Sequence, residues 1–92
     1  MSNIDWSQVV TASMKAEQEA AQLLANVQYE TVERRKVADA AIAPLQDAVD
    51  IGESTAAERN KLLEWKRYRV ALNRLADNPG YPSVVSWPAQ PK

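Results

Sequence analysis

From about Thr11 to Ile51, apolar positions recur every three or four residues on a background of Ala, Glu, Gln, Leu, Lys and Arg, with a single Pro and no Gly. These residue types lose the least on entering a helix, so the pattern predicts one long helix over about 11–51. Its beginning has two readings. Asp5 with Gln8 has the spacing of a capping box, whereas Val9, Val10 and Thr11 form a β-branched run that can hold residues 3–10 extended; residues 1–10 are thus an extended segment or the helix start. Pro44 has no N–H to donate and its ring crowds the carbonyl of Ala40, which predicts a bend or a restart there, and Gly52 is the expected stop. Thr55 followed by Glu58 is a Thr-x-x-Glu capping box that opens a second helix over about 56–76. The link Gly52 to Ser54 is short enough to make the two helices antiparallel neighbours. DNPGYP, residues 77–82, has turn chemistry, and Ser83 to Lys92 reads as an extended, Pro-punctuated tail. The expected fold is all-α: a helical hairpin over 11–76, then a turn and tail over 77–92.

Helical periodicity also assigns faces. In the second helix, Leu62, Trp65, Tyr68, Leu72, Leu75 and Ala76 share one stripe, the expected core face, with Arg69 at its edge where it can meet a carboxylate. Opposite lie Leu63 and Val70, bordered by Arg59, Lys66, Arg67 and Arg74; this second seam suits either an acidic partner helix or open solvent. In the first helix, Val37, Ala38, Ala41, Ile42, Leu45, Ala48 and Val49 make a stripe for the returning helix to cover. Ala16, Ala20, Leu23, Leu24, Val27 and Thr31 continue it backwards.

Length turns these stripes into an expectation about partners. At 1.5 Å per residue the second helix spans roughly 30 Å and the first about 60 Å, so half of the first has no partner in its own chain. A lone helix of that size is weakly stable in water and leaves its Leu and Val residues wet, which predicts a second chain along residues 14–32, in a coiled-coil-like homo-oligomer or a helical hetero-complex.

Composition narrows the chemistry. The 92 residues contain no Cys and no His, which removes disulfides, thiol nucleophiles, Ser-His-Asp triads and the ligands zinc favours. The two glycines stand at 52 and 80, so no phosphate-cradling loop can form, and no nucleophile has an activating base. Asp47, Asp50 and Glu53 lack the EF-hand pattern and read as a solvated helix end, without a metal. No cofactor and no enzymatic activity are expected. Residues 1–52 carry four Lys/Arg against eight Asp/Glu, and residues 53–92 seven against four. The net charge of −1 argues against a nucleic-acid surface and for acidic and basic helices that attract each other. Arg34-Arg35-Lys36 reads as a solvated face in contact with Glu30 and Glu33. MSNIDWSQVV is neither a signal peptide nor a membrane span, so a soluble protein of a reducing cytoplasm is expected. Tyr81 and Trp87 have two readings: Val84, Val85 and Trp87 fold back over the hairpin, or Tyr81 and Trp87 are anchors for a partner.

Residues 41–75, AIAPLQDAVDIGESTAAERNKLLEWKRYRVALNRL, followed by P-x-x-x-x-WP at Pro82 to Pro88, resemble the C-terminal region of the tail fibre assembly proteins of tailed bacteriophages. There an IAPLQDAVDL run precedes an acidic loop, then WKxYRVxLNR, then a short link ending in WP. Ile42 to Ile51 match the first element. Trp65, Tyr68, Arg69, Leu72, Asn73 and Arg74 fall within the second, and Trp87 with Pro88 form the last. The resemblance implies a chaperone that helps a trimeric fibre fold in the host cytoplasm, with a fibre or other tail protein as partner, and that in some members stays on the fibre tip. Members typically carry a further N-terminal domain, where this chain has the helical stretch beginning MSNIDWSQVV. The alternative is therefore a structural helical subunit of the virion tail without chaperone activity. With the resemblance, the expected contact residues are Ala20, Leu23, Leu24, Val27, Thr31, Leu63, Val70, Tyr81 and Trp87.

Overall fold

A computed structural model describes the chain from Trp6 to Lys92, with side chains from Ala12 onward. The capping box expected at Asp5 and Gln8 lies outside the described residues. Helix α1 runs from Trp6 to Asp50, helix α2 from Ala56 to Asn73, and a 3-10 turn follows over Leu75–Asp77. There is no strand among the described residues. The molecule measures 81 × 20 × 17 Å, a rod whose far end is α1 alone.

At both questioned points α1 continues as a helix. It is helical through the β-branched run, because Val and Thr cost only a few tenths of a kcal/mol each in a helix, too little to break one that is otherwise continuous. It also passes through Pro44 without restarting. Ala40 and Pro44 are both exposed, so the carbonyl that loses its donor faces water and can bond there. The expected stop at Gly52 is made by a Schellman motif: the Gly52 N–H donates to the Val49 carbonyl at 3.1 Å and the Glu53 N–H to the Ala48 carbonyl at 2.9 Å. Gly52 has φ +74°, which a residue with a Cβ rarely adopts.

The capping box of α2 is complete. The Glu58 N–H donates to Thr55 Oγ1 at 3.1 Å, and the Thr55 N–H donates to Glu58 Oε1 at 2.9 Å. The hydrogen bonds from Thr55, backbone first and hydroxyl second, hold the Glu58 carboxyl below its usual range. A depressed folded value means that the cap stabilises above the ordinary carboxylate pKa and fades as pH falls through the depressed one. Thr55→Ala should cost about 1 kcal/mol by thermal melting at neutral pH, and the gap between wild type and variant should narrow on acidification.

Packing α2 against α1 builds a continuous core. Ala38, Ile42, Leu62, Tyr68, Leu72 and Leu75 are buried in it, and Leu45, Val49, Trp65, Tyr81, Val85 and Trp87 pack around them half-buried. Ala38 is fully buried, and its single methyl lets the helices approach closely. Trp65 and Tyr68 meet edge to face, with ring centroids 5.8 Å apart. Three expected core positions are exposed. Val37 is 46% exposed on the flank of α1, Ala76 is turned outward by the 3-10 turn that ends the α-helical register, and Val84 is 67% exposed while its neighbour Val85 packs.

Candidate functional site

No catalytic constellation was expected, and the features that can meet another molecule are two helix faces and the tail. The first face is the free arm of α1. From Ala12 to Leu23 every residue is exposed, Leu24 is half-buried, and Met14 and Leu23 are 52% and 38% exposed. Ala20 and Leu23 therefore stand on an open seam. Two other expected contact residues do not. Val27 is 8% exposed within its own chain, and Thr31 is half-buried with its hydroxyl donating to the Val27 carbonyl at 2.7 Å. The reason is reach: the turn after α2 brings Leu75, Ala76 and Tyr81 alongside Gln28, Thr31 and Val32, about a turn of helix further than the length of α2 alone allows. The uncovered arm is thus shorter than the expected 14–32.

The second face is the outer side of α2. Leu63 and Val70 are 48% and 42% exposed and line a shallow groove with Lys66, Arg67, Arg74 and Asn78. The groove is open and cationic. The last residues of the tail, Pro88 to Lys92, lie beside it against Glu64, Arg67 and Tyr68 without covering Leu63 or Val70.

The tail itself folds onto its own chain. Tyr81 and Trp87 are half-buried against the core, with Pro88 half-buried next to them. Gly80, at φ +83°, makes the turn that sends them back; a Cβ there would sit 3.2 Å from that of Val84. The Arg34 guanidinium lies 4.4 Å from the centroid of a Trp87 ring while its Nε donates to Glu30 at 2.9 Å. Burial would lower the pKa of Arg34, but the Tyr68 hydroxyl and Glu30 outweigh it and hold the pKa up. The buried hydroxyl favours the charge from nearby although it has no partner of hydrogen-bond geometry. Arg34 was expected in a solvated run; it is instead half-buried, as is Arg35, and only Lys36, bonded to Glu33 at 3.1 Å, stays exposed. Nothing in the sequence pairs Arg34 with Trp87, 53 positions away in the chain (87 − 34). Arg69 does meet a carboxylate, Asp39, at 3.1 Å. Of the remaining motif residues, Leu72 is buried, whereas Asn73 and Arg74 are exposed at the end of α2.

At the other end, Asp50 accepts from Gln46 at 2.8 Å, and no group of acidic residues suited to a metal occurs among the described residues. No helix among them is long and apolar enough to cross a membrane.

These features define a class: a helical hairpin with an overhanging arm and two exposed apolar faces. The chain belongs to the family described as Caudovirales tail fibre assembly protein, lambda gpK, whose model matches residues 2–92. It is 51% identical over 51 residues to the probable tail fiber assembly protein of Acyrthosiphon pisum secondary endosymbiont phage 1, covering 55% of this chain and 32% of that one. It is 48% identical over 56 residues to the tail fiber assembly protein of Escherichia phage lambda, covering 61% of this chain and 28% of the relative. Protein TfaD of Escherichia coli K12 is similar to the same degree, with 29% of its length covered. The chain thus matches about a third or less of these relatives' length. No solved structure matches it.

Proposed function

We propose that this chain assists the assembly of a phage tail fibre as a non-enzymatic chaperone, binding fibre segments through its exposed apolar faces during assembly in the host cytoplasm. The observation that carries the reading is the overhang of α1: Ala20 and Leu23 lie open on a helix arm that its own chain leaves uncovered, and Leu63 and Val70 lie open on the outer face of α2. A stable monomer gains nothing from wetting these side chains, whereas a protein that shelters apolar segments of another needs them. Family membership supplies the class of partner.

Co-expression with the tail fibre protein of the same phage tests this. The fibre should become soluble and trimeric only when the chain is present. A fibre that trimerises equally well without it overturns the chaperone role. Recovery of the chain at a fixed ratio in purified particles, with no effect on fibre folding, would make it a structural subunit of the tail instead.

A further inference from the structure

We infer that, in the absence of a fibre, two copies of this chain form a closed two-fold dimer. In it the free arm of each α1 docks on the outer face of the partner's α2. Three observations on different parts of the molecule converge on this arrangement.

The first is position. The open seam of the arm lies on the same side of α1 as α2 does, because Ala16, Ala20, Leu23 and Leu24 continue the stripe of Ala38, Ile42 and Leu45. The empty space beside the arm is therefore collinear with α2. The second is length. With 45 residues, α1 is about 68 Å long, and two copies of the 18-residue α2 laid end to end need about 54 Å. Two antiparallel α1 rods can thus enclose a middle row made of both α2 helices. Each α2 is held on one side by its own α1 and on the other by the partner's arm. The rod is long enough for this row and leaves about 14 Å for the turns at Asp77 to Pro82.

The third is charge. Around the helix, Glu17 and Glu19 flank the arm's seam on either side, and Lys15 points away from it. On the outer face of α2, Leu63 and Val70 are bordered by Arg59, Lys66, Arg67 and Arg74. Small apolar residues between carboxylates thus meet aliphatics between cations. An arm-against-arm dimer would instead place the same acidic borders together and leave Leu63 and Val70 bare. Because α2 is antiparallel to its own α1, it runs parallel to the arm of an antiparallel partner. Asp39 pairs with Arg69 inside each chain, and keeping the two C-terminal turns from overlapping sets the register to within about one helical turn. Val70 then lies near Ala20 and Lys66 and Arg67 near Glu17. The contact is reciprocal, so it closes at two copies and does not propagate.

The chain has no cysteine, so engineered thiols report cleanly. Chains carrying Ala20→Cys are mixed with chains carrying Val70→Cys at about 100 µM and oxidised mildly. The mixture should give a mixed disulfide, while Ala20→Cys alone should give none, since the two arms lie more than a disulfide's reach apart. The double charge reversal E17K/E19K should weaken dimerisation roughly tenfold by light scattering, and K66E/R67E in the same chain should restore it. Self-linking of Ala20→Cys as efficient as in the mixture would overturn the arrangement in favour of paired arms. A folded monomer at that concentration would overturn the dimer itself. Fibre binding is tested separately by co-expression, so either result leaves that reading to its own experiment.

Discussion

Leu72→Ala should unfold much of the hairpin at physiological temperature. Leu72 is 1% exposed, the one large side chain among the described residues buried to that degree, at the centre of the face that α2 turns to Ala38 and Ile42. Truncating such a residue costs about 2–5 kcal/mol, part in lost transfer and part in the cavity left behind. A chain of this size has about 5–14 kcal/mol of total stability to lose. A molecule with a single-layer core and a bare arm stands at the low end of that range. A loss of about 3 kcal/mol corresponds to roughly 12–24 °C in melting temperature, which circular dichroism at 222 nm measures directly. Leu63→Ala is the control, because Leu63 is 48% exposed on the opposite face of the same helix. At a dilution where the chain is monomeric, its melting temperature should move by less than about 4 °C. Equal effects at the two positions would mean that α2 does not present these faces as described.

Trp87→Ala should produce the next largest loss. Trp87 is half-buried against the core and lies beneath Arg34, so its removal takes away both apolar area and a cation–π contact. Full truncation of a buried Trp costs about 3–5 kcal/mol; because Trp87 is only partly buried, roughly 2 kcal/mol is expected, or about 8–16 °C. Trp87→Phe should recover most of it. The same pair of variants separates packing from partner binding. A large fall in melting temperature makes Trp87 the lid of the hairpin. Unchanged melting with lost fibre binding would make it an anchor for the fibre.

What could be read from the sequence followed strong local signals. Thr55 and Glu58 mark the start of α2 because a capping box is a four-residue device, and Gly52 marks the end of α1 because a Schellman motif needs a residue that tolerates positive φ. The stripe of Leu62, Tyr68, Leu72 and Leu75 follows from 3.6-residue periodicity, and the Arg69 contact with Asp39 follows from placing Arg69 at the edge of that stripe. The misjudged positions depend on geometry that no local pattern encodes. Ala76 fell outside the core because the chain changes to a 3-10 turn at Leu75, which rotates every later side chain. Val27 and Thr31 are covered within their own chain because the turn after α2 reaches back along α1, and that reach is not written in either helix. Arg34 was read from its neighbours Glu30 and Glu33 alone, since its contact with Trp87 joins positions far apart in the chain. Of the bend or restart expected at Pro44 the restart does not occur, because on an exposed face the orphaned Ala40 carbonyl has water to bond.

The α1 arm that its own chain leaves bare is the surface proposed to meet another chain. Amide hydrogen exchange, followed over a dilution series without fibre, reads that arm residue by residue. Protection over residues 12–26 should collapse as the chain becomes monomeric, while residues 38–49 and 62–72, inside the hairpin, keep theirs. Undiminished protection of 12–26 at a concentration where light scattering shows only single chains would contradict the account.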